Sequence, residues 1–417
     1  MLAAHKSLGY SSATVSGRDQ MQKLWNGDIV VAGNGVSAIV TALAFSEQDF
    51  TVALAGRIDR SPPAKDDADL WQSVVALSAS ATAMLDRLGI VARLKHPPSP
   101  IWRMALAVPE ATTEAALFAA DQQAGAPALA SVYSRADLMQ ACVARLNETP
   151  DISCFDGLAA WSNGAGQIEK NGGTVSAALC IDAIGRGSHL RAAAGIDSFE
   201  HAYDQAAIIC DLELAAPHDN EALQIFTALG PLALLPLPAK HRVALVWSVT
   251  RAQAEALKAV DAPLFRQMIV EHSGVEIAGV GDRAIQPLRS LLAAHFYHDD
   301  LALIGESAHI VHPLAGQGLN LTLRDSACLA HKAATARDLG LPPAALLADY
   351  GQERRADAAA MLALTHFISA QFTNAPLAQA ALASAGHLAG DPRFANLILG
   401  QADHGLSDPP PLMRALT

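Results

Sequence analysis

Residues 28–56 read DIVVAGNGVSAIVTALAFSEQDFTVALAG. Ile29, Val30 and Val31 have the composition of a buried strand, and Gly33, Gly35 and Ala38 follow in G-x-G-x-x-A spacing. An apolar helix then runs to about Ser46, and a second strand from Phe50 to Leu54. Each small residue has a mechanical use. Gly33 permits a tight turn, Gly35 lets a pyrophosphate approach the backbone, and Ala38 lets helix and strand pack closely. The acid that should bond ribose hydroxyls about 20 residues on is missing. Ala55, Gly56 and Arg57 stand in its place, and Asp59 reaches it only if the loop folds back. On these residues alone, a Rossmann-like turn that has lost its dinucleotide is the alternative.

A second stretch, LALIGESAHIVHPLAGQGLNLTLRD at 301–325, ends a buried strand in Gly305-Glu306, crosses Gly316-Gln317-Gly318 and then starts a helix. Small residues, a carboxylate and free backbone N–H groups gathered at one helix start suit a polar cofactor better than they suit packing. His309 and His312 have H-x-x-H spacing, but no third ligand is near and Pro313 follows at once, so the expected role is to orient the loop or line a pocket. Arg324 and Asp325 are expected to open the polar side of the helix as a local ion pair.

Composition narrows the classes. A chain of 417 residues, 51% hydrophobic and 17% charged, can bury a large core. Its formal charge of −12 and lack of a basic cluster argue against nucleic acid. Cys142, Cys154, Cys180, Cys210 and Cys328 form no CxxC pair, which favours buried free thiols and a reducing cytoplasm over disulfides or zinc. No apolar run is long enough to cross a bilayer. Residues 1–26 are expected to be a disordered lead, with translation from Met21 giving a more compact start and the first 20 residues dispensable.

Residues 28–57, IDAIGRGSHLRAAAGI at 181–196, YDQAAII at 203–209, FTALGPLALLPLP at 226–238, ALVW at 244–247 and the 301–325 stretch form an ordered series. Together they resemble the FAD-dependent 2-polyprenylphenol hydroxylases of ubiquinone biosynthesis, within the para-hydroxybenzoate hydroxylase-like flavoprotein monooxygenases. The resemblance implies an α/β chain (α+β overall): a Rossmann-like FAD-binding domain, an inserted antiparallel-sheet substrate domain and C-terminal helices. It implies FAD as cofactor, NAD(P)H as reductant, and oxygen transfer from O2 to an electron-rich ring carbon. FAD is expected on Gly33, Gly35, Val36, Ser37, Ala38, Arg57, Arg135, Gly305, Glu306, Pro313, Gly316, Gly318, Leu319 and Asn320. An exposed helical arginine at 135 would look the same in sequence. Three positions depart from the family: Gly56 for an acid, Ile184 where an Asp precedes Gly185, and Ser73-Val74 where an arginine is usual; Arg186, Ser188 and Arg191 are retained.

The motif order implies an FAD domain from 27–75, 100–185 and 285–345, a substrate domain from 76–99 and 186–284, and a helical region from 346–417. Residues 358–390 carry no Asp, Glu, Lys or Arg, so helices packed on the FAD domain compete with a greasy face for a subunit, a partner protein or the bilayer surface. Expected partners are a polyprenylated phenol, the membrane surface or ubiquinone-pathway proteins, and a second copy of the chain; the expected location is cytoplasmic, at the inner face of the membrane. No general base stands out; Tyr203, Asp204 and His218 are candidates by region. A relative acting on a soluble aromatic and a non-catalytic subunit remain the competing functions.

Overall fold

The computed structural model describes residues 22–59, 73–107, 117–120, 127–156, 160–162, 165–170, 173–313, 316–371 and 399–414. The segment 1–20, expected to be dispensable, and residues 372–390 of the uncharged run lie outside the described residues.

The opening strand–turn–helix forms where the sequence places it. β1 (Gln22–Ala32) starts earlier than expected, at Gln22 and not Asp28, because its first residues pair with Gly173 and Thr174; residues 22–26 of the expected lead are therefore strand. α1 (Val36–Ser46) buries Ala38 through Phe45 without a break, the pattern of a helix covered on all sides. β2 (Val52–Ala55) follows. β3 (Val74–Ser78), α2 (Ala79–Arg87) and β4 (Ala130–Ser134) come next, with α3 (Arg135–Asn147) and β5 (Ile152–Phe155) after them. β6 (Gly173–Asp182) completes this half and leads to the single turn-and-a-half of α4 (His189–Ala193).

A second sheet begins with β7 (Ser198–Leu214), which is long enough to pair with three strands along its length. β8 (Glu221–Thr227), β9 (Gly230–Pro236) and β10 (Arg242–Thr250) follow by tight connections, the β8–β9 hairpin turning at Gly230 with φ +135°. α5 (Arg251–Ala259) and α6 (Ala262–Ser273) pack on one face around Trp247, which is fully buried. β11 (Ala284–Ala293) returns to pair with β7, then β12 (Leu301–Leu303), α7 (Gly318–Asp338) and α8 (Leu347–Gln371) follow, with residues 399–414 the last described.

β12, β6, β1, β2 and β5 lie side by side, all parallel, within an eight-stranded sheet. All five strands end at one edge, where open α/β sheets bind ligands. The other large sheet has nine strands and is antiparallel except where β8 meets residues 103–107. The sequence assigned 103–107 and 285–293 to the FAD domain, but both pair into this second sheet. Residues 76–99, assigned to the substrate domain, instead send Leu77, Met84 and Leu85 into the core of the parallel sheet. Both differences have one cause: structure is set by long-range contacts, the strand pairings here joining residues 75 to 118 positions apart, where order along the chain is no guide.

Candidate functional site

Helices α1 and α7 begin without a side-chain cap. α2, α3, α4, α5 and α6 are capped by Ser78, Ser134, Ser188, Thr250 and Asp261. α1 starts at Gly35 and α7 at Gln317 with no such bond and no acid in the first turn. Their first intrahelical bonds come from Ile39 to the Gly35 carbonyl and from Leu321 to the Gln317 carbonyl. The N–H groups of Val36, Ser37 and Ala38, and of Gly318, Leu319 and Asn320, thus form two positive helix ends. A Cβ added to Gly35 or Gly318 meets nothing within 4 Å, so both ends face open space. That chemistry fits an anionic pyrophosphate at one end and the electron-rich edge of a flavin ring at the other.

The turn around α1 is closely packed. A Cβ on Gly33, where φ is +153°, would lie 2.5 Å from the Ala183 carbonyl oxygen and 2.9 Å from Ala38 Cβ. Gly56 explains the missing acid: its Cβ would sit 2.1 Å from the Gly33 oxygen, so position 56 admits no side chain at all. Arg57 and Arg135 are exposed, Arg135 opening α3 with its N–H bonded to the Ser73 oxygen at 3.0 Å. At the late strand, Gly305 (φ +56°) lets the chain pass Thr322, while Glu306 is exposed with its Cβ 3.9 Å from where a Cβ on Gly185 would be. Pro313 is exposed and accepts from the Gly316 N–H at 2.9 Å. Asn320 holds the helix start in place. Its Oδ1 accepts from the Ser78 N–H at 2.9 Å and its Nδ2 donates to the Ala76 oxygen at 2.9 Å, leaving only its backbone to face a ligand.

Arg324 and Asp325 correct the sequence expectation. Both are buried, at 1% and 0% exposure, and each finds a partner on α8 and not in the other. Arg324 pairs with Asp357 at 3.0 Å and donates to Gln317 at 3.1 Å; Asp325 accepts from Arg354 at 2.9 Å and the Gly305 N–H at 3.0 Å, and meets His309 Nε2 at 2.6 Å. Arg354 also reaches Asp357 at 2.8 Å. Burial would raise the Asp325 carboxyl, but His309, Arg354 and the Gly305 N–H together hold it below the usual carboxylate range. The network clamps the α7 start to the Gly305 turn, and Gln317 to Arg324. Nothing in the sequence marks Arg354 and Asp357, since an Arg-Arg-x-Asp run reads as a solvated helix face.

The two histidines part company. His309 belongs to the buried network, whereas His312 lies beside β7, with Nε2 3.3 Å from Gln205 Oε1 and its ring edge-on to Tyr203 at 5.1 Å. Burial, with His366 nearby, lowers the His312 pKa to about 4, so the ring is neutral near pH 7 and is a poor general base. Tyr203 is buried and its hydroxyl is 3.3 Å from His366 Nδ1. Asp204 is exposed, and His218 is fixed at a turn, Nε2 to the Leu237 oxygen at 2.9 Å, which removes it from the site.

The family described as FAD binding domain matches residues 77–365. Ubiquinone hydroxylase UbiL of Rhodospirillum rubrum is 33% identical over 367 residues, covering 85% of this chain and 84% of its own. The chain belongs to the FAD-dependent hydroxylases of ubiquinone biosynthesis. The 3-demethoxyubiquinol 3-hydroxylase of Escherichia coli is a further relative of this hydroxylase, 28% identical over 83% of the chain and 90% of its own. Among solved structures, p-nitrophenol 4-monooxygenase PnpA from Pseudomonas putida DLL-E4 superposes on the hydroxylase with a TM-score of 0.71 at 16% identity, covering 92% of this chain and all of that one. The hydroxylase is thus an FAD-dependent monooxygenase in fold and family.

Proposed function

We propose that the hydroxylase adds oxygen to the ring of a polyprenylated phenol in ubiquinone biosynthesis, with NAD(P)H as reductant. The observation that carries this is the pair of uncapped helix starts opening on the carboxyl edge of the parallel sheet. FAD, when bound, supplies the redox chemistry with O2. The chain's own part is to bind and orient it: Val36, Ser37 and Ala38 N–H groups hold the pyrophosphate, Glu306 the ribityl side, and Gly318, Leu319 and Asn320 N–H groups the ring edge. Pro313 and Gly316 would border the ring, and Arg57 and Arg135 would serve the phosphates. Units built on the parallel sheet and on the nine-stranded sheet then serve as FAD and substrate domains.

Two features support a prenylated substrate. On the sheet face opposite α5 and α6, Ile209, Val246 and Ala233 stand in one cross-strand row and are only half-buried, an apolar strip continuous with Tyr203. At the surface, Phe199, Leu364 and Phe367 are 69%, 46% and 59% exposed, and the rings of their neighbours His201 and His366 are 5.9 Å apart. Such a face suits contact with the bilayer, since a tail withdrawn into water costs ~0.8 kcal/mol per CH2. FAD titration followed by NAD(P)H-dependent product analysis tests the proposal, with a short-chain prenylphenol and an unprenylated phenol as substrates. Uptake of FAD and preference for the prenylated ring are expected; equal turnover of both, or no FAD uptake, refutes it.

A further inference from the structure

The carboxylate missing at position 184 has a counterpart two residues earlier. Asp182 is the last residue of β6, held on both sides by the sheet: its carbonyl accepts from the Ile304 N–H at 3.0 Å, and the next N–H, of Ala183, donates to Ala32 at 2.8 Å. Its side chain is fully buried. One oxygen accepts from the Ile184 N–H at 3.1 Å and from Ser307 Oγ at 2.8 Å, and the other accepts from Ser188 Oγ. Ser307 Oγ in turn accepts from the Gly185 N–H at 2.9 Å, and Arg191 donates to the Ser307 carbonyl at 2.8 Å. Ser188 caps α4 through the Arg191 N–H at 3.0 Å.

These bonds tie two turns together beyond the strand pairing of β6 with β12. One is 184–188, after β6; the other is 305–308, after β12. They stand across from each other at the carboxyl edge of the sheet, with Gly185 facing Glu306. Ile184 itself turns toward the core of the parallel sheet, where it packs as a half-buried apolar residue.

We infer that Asp182 is a positioning residue for FAD, which, with Ser307 and Ser188, sets the spacing of the 184–188 and 305–308 turns in place of the family's carboxylate at 184. This rests on the groove being the FAD site. Ser307 is the specific partner, since its single hydroxyl bridges Asp182 to the Gly185 N–H. Burial pushes the Asp182 carboxyl above its usual range despite its three donors.

Purified full-length Asp182→Asn, Ser307→Ala and the double variant are titrated with FAD by fluorescence, and each apoprotein is melted. Asp182→Asn is expected to weaken FAD binding about tenfold or more, Ser307→Ala by a smaller factor, and the double variant no more than Asp182→Asn, because both act through one bond. The apoprotein melting temperature of Asp182→Asn should not fall below that of the unaltered chain. Unchanged FAD affinity in the single variants, or losses that multiply in the double variant, overturn the inference. If Asp182→Asn does not fold, Ser307→Ala decides alone: an unchanged affinity is then a refutation. An unaltered protein that takes up no FAD would instead sink the assignment of the groove.

Discussion

Gly35 and Gly318 allow the proposed groove to be filled without disturbing the fold. Gly35 has φ −99° and ψ −177°, extended backbone open to any residue, and Gly318 is the first residue of α7. A Cβ at either meets no atom within 4 Å. Gly35→Val and Gly318→Leu should therefore leave the apoprotein unharmed, and the narrower unfolded ensemble contributes about 0.4–1 kcal/mol in their favour. FAD binding is another matter. A backbone N–H contact needs donor and acceptor within about 3 Å, and a branched side chain in that gap removes it. Charge-assisted bonds are worth about 1.5–3 kcal/mol each, so losing two at α1 amounts to about 3–6 kcal/mol. At about 1.4 kcal/mol per decade, the FAD dissociation constant of Gly35→Val should rise at least a hundredfold. Flavin fluorescence titration reads the affinity, and apoprotein melting reads the fold. Gly56→Ala is the contrast, since its Cβ would lie 2.1 Å from the Gly33 oxygen and the apoprotein itself should be destabilised. Undiminished FAD binding by both groove variants would refute the placement of the cofactor.

Asp325→Asn strips one of two carboxylates from a buried network with two arginines, leaving an uncompensated charge; a loss of about 3–5 kcal/mol in urea unfolding is expected, and a loss under about 1 would show the network to be solvated. His312 has a folded pKa lowered from 6.5 to about 4, so the folded state binds fewer protons between these values and stability falls as pH drops through that window, by up to about 3 kcal/mol. His312→Gln should flatten this part of the pH–stability curve; an unchanged slope would mean the ring is hydrated. Native protein should expose one thiol to iodoacetamide, Cys154, and all five after denaturation, because the other four are buried and burial raises Cys142, Cys210 and Cys328 to about 12. Several fast-reacting thiols in the native state would contradict that packing.

The sequence by itself determined the strand–turn–helix at 28–56, the helix start after Gly318 and the flavoprotein family, because these rest on residues a few positions apart whose spacing is set by local backbone geometry. It also exposed the departures at Gly56 and Ile184 without their reasons. Those came from tertiary structure: the carbonyl that closes position 56 belongs to Gly33, and the partner of Asp182 is Ser307, 125 residues away. Arg324 and Asp325 were misplaced on a solvated face for the same cause, as Asp357 and Arg354 lie 33 and 29 residues on. A charge is buried or exposed according to what packs over it, and no periodicity within one helix records the helix that will cover it.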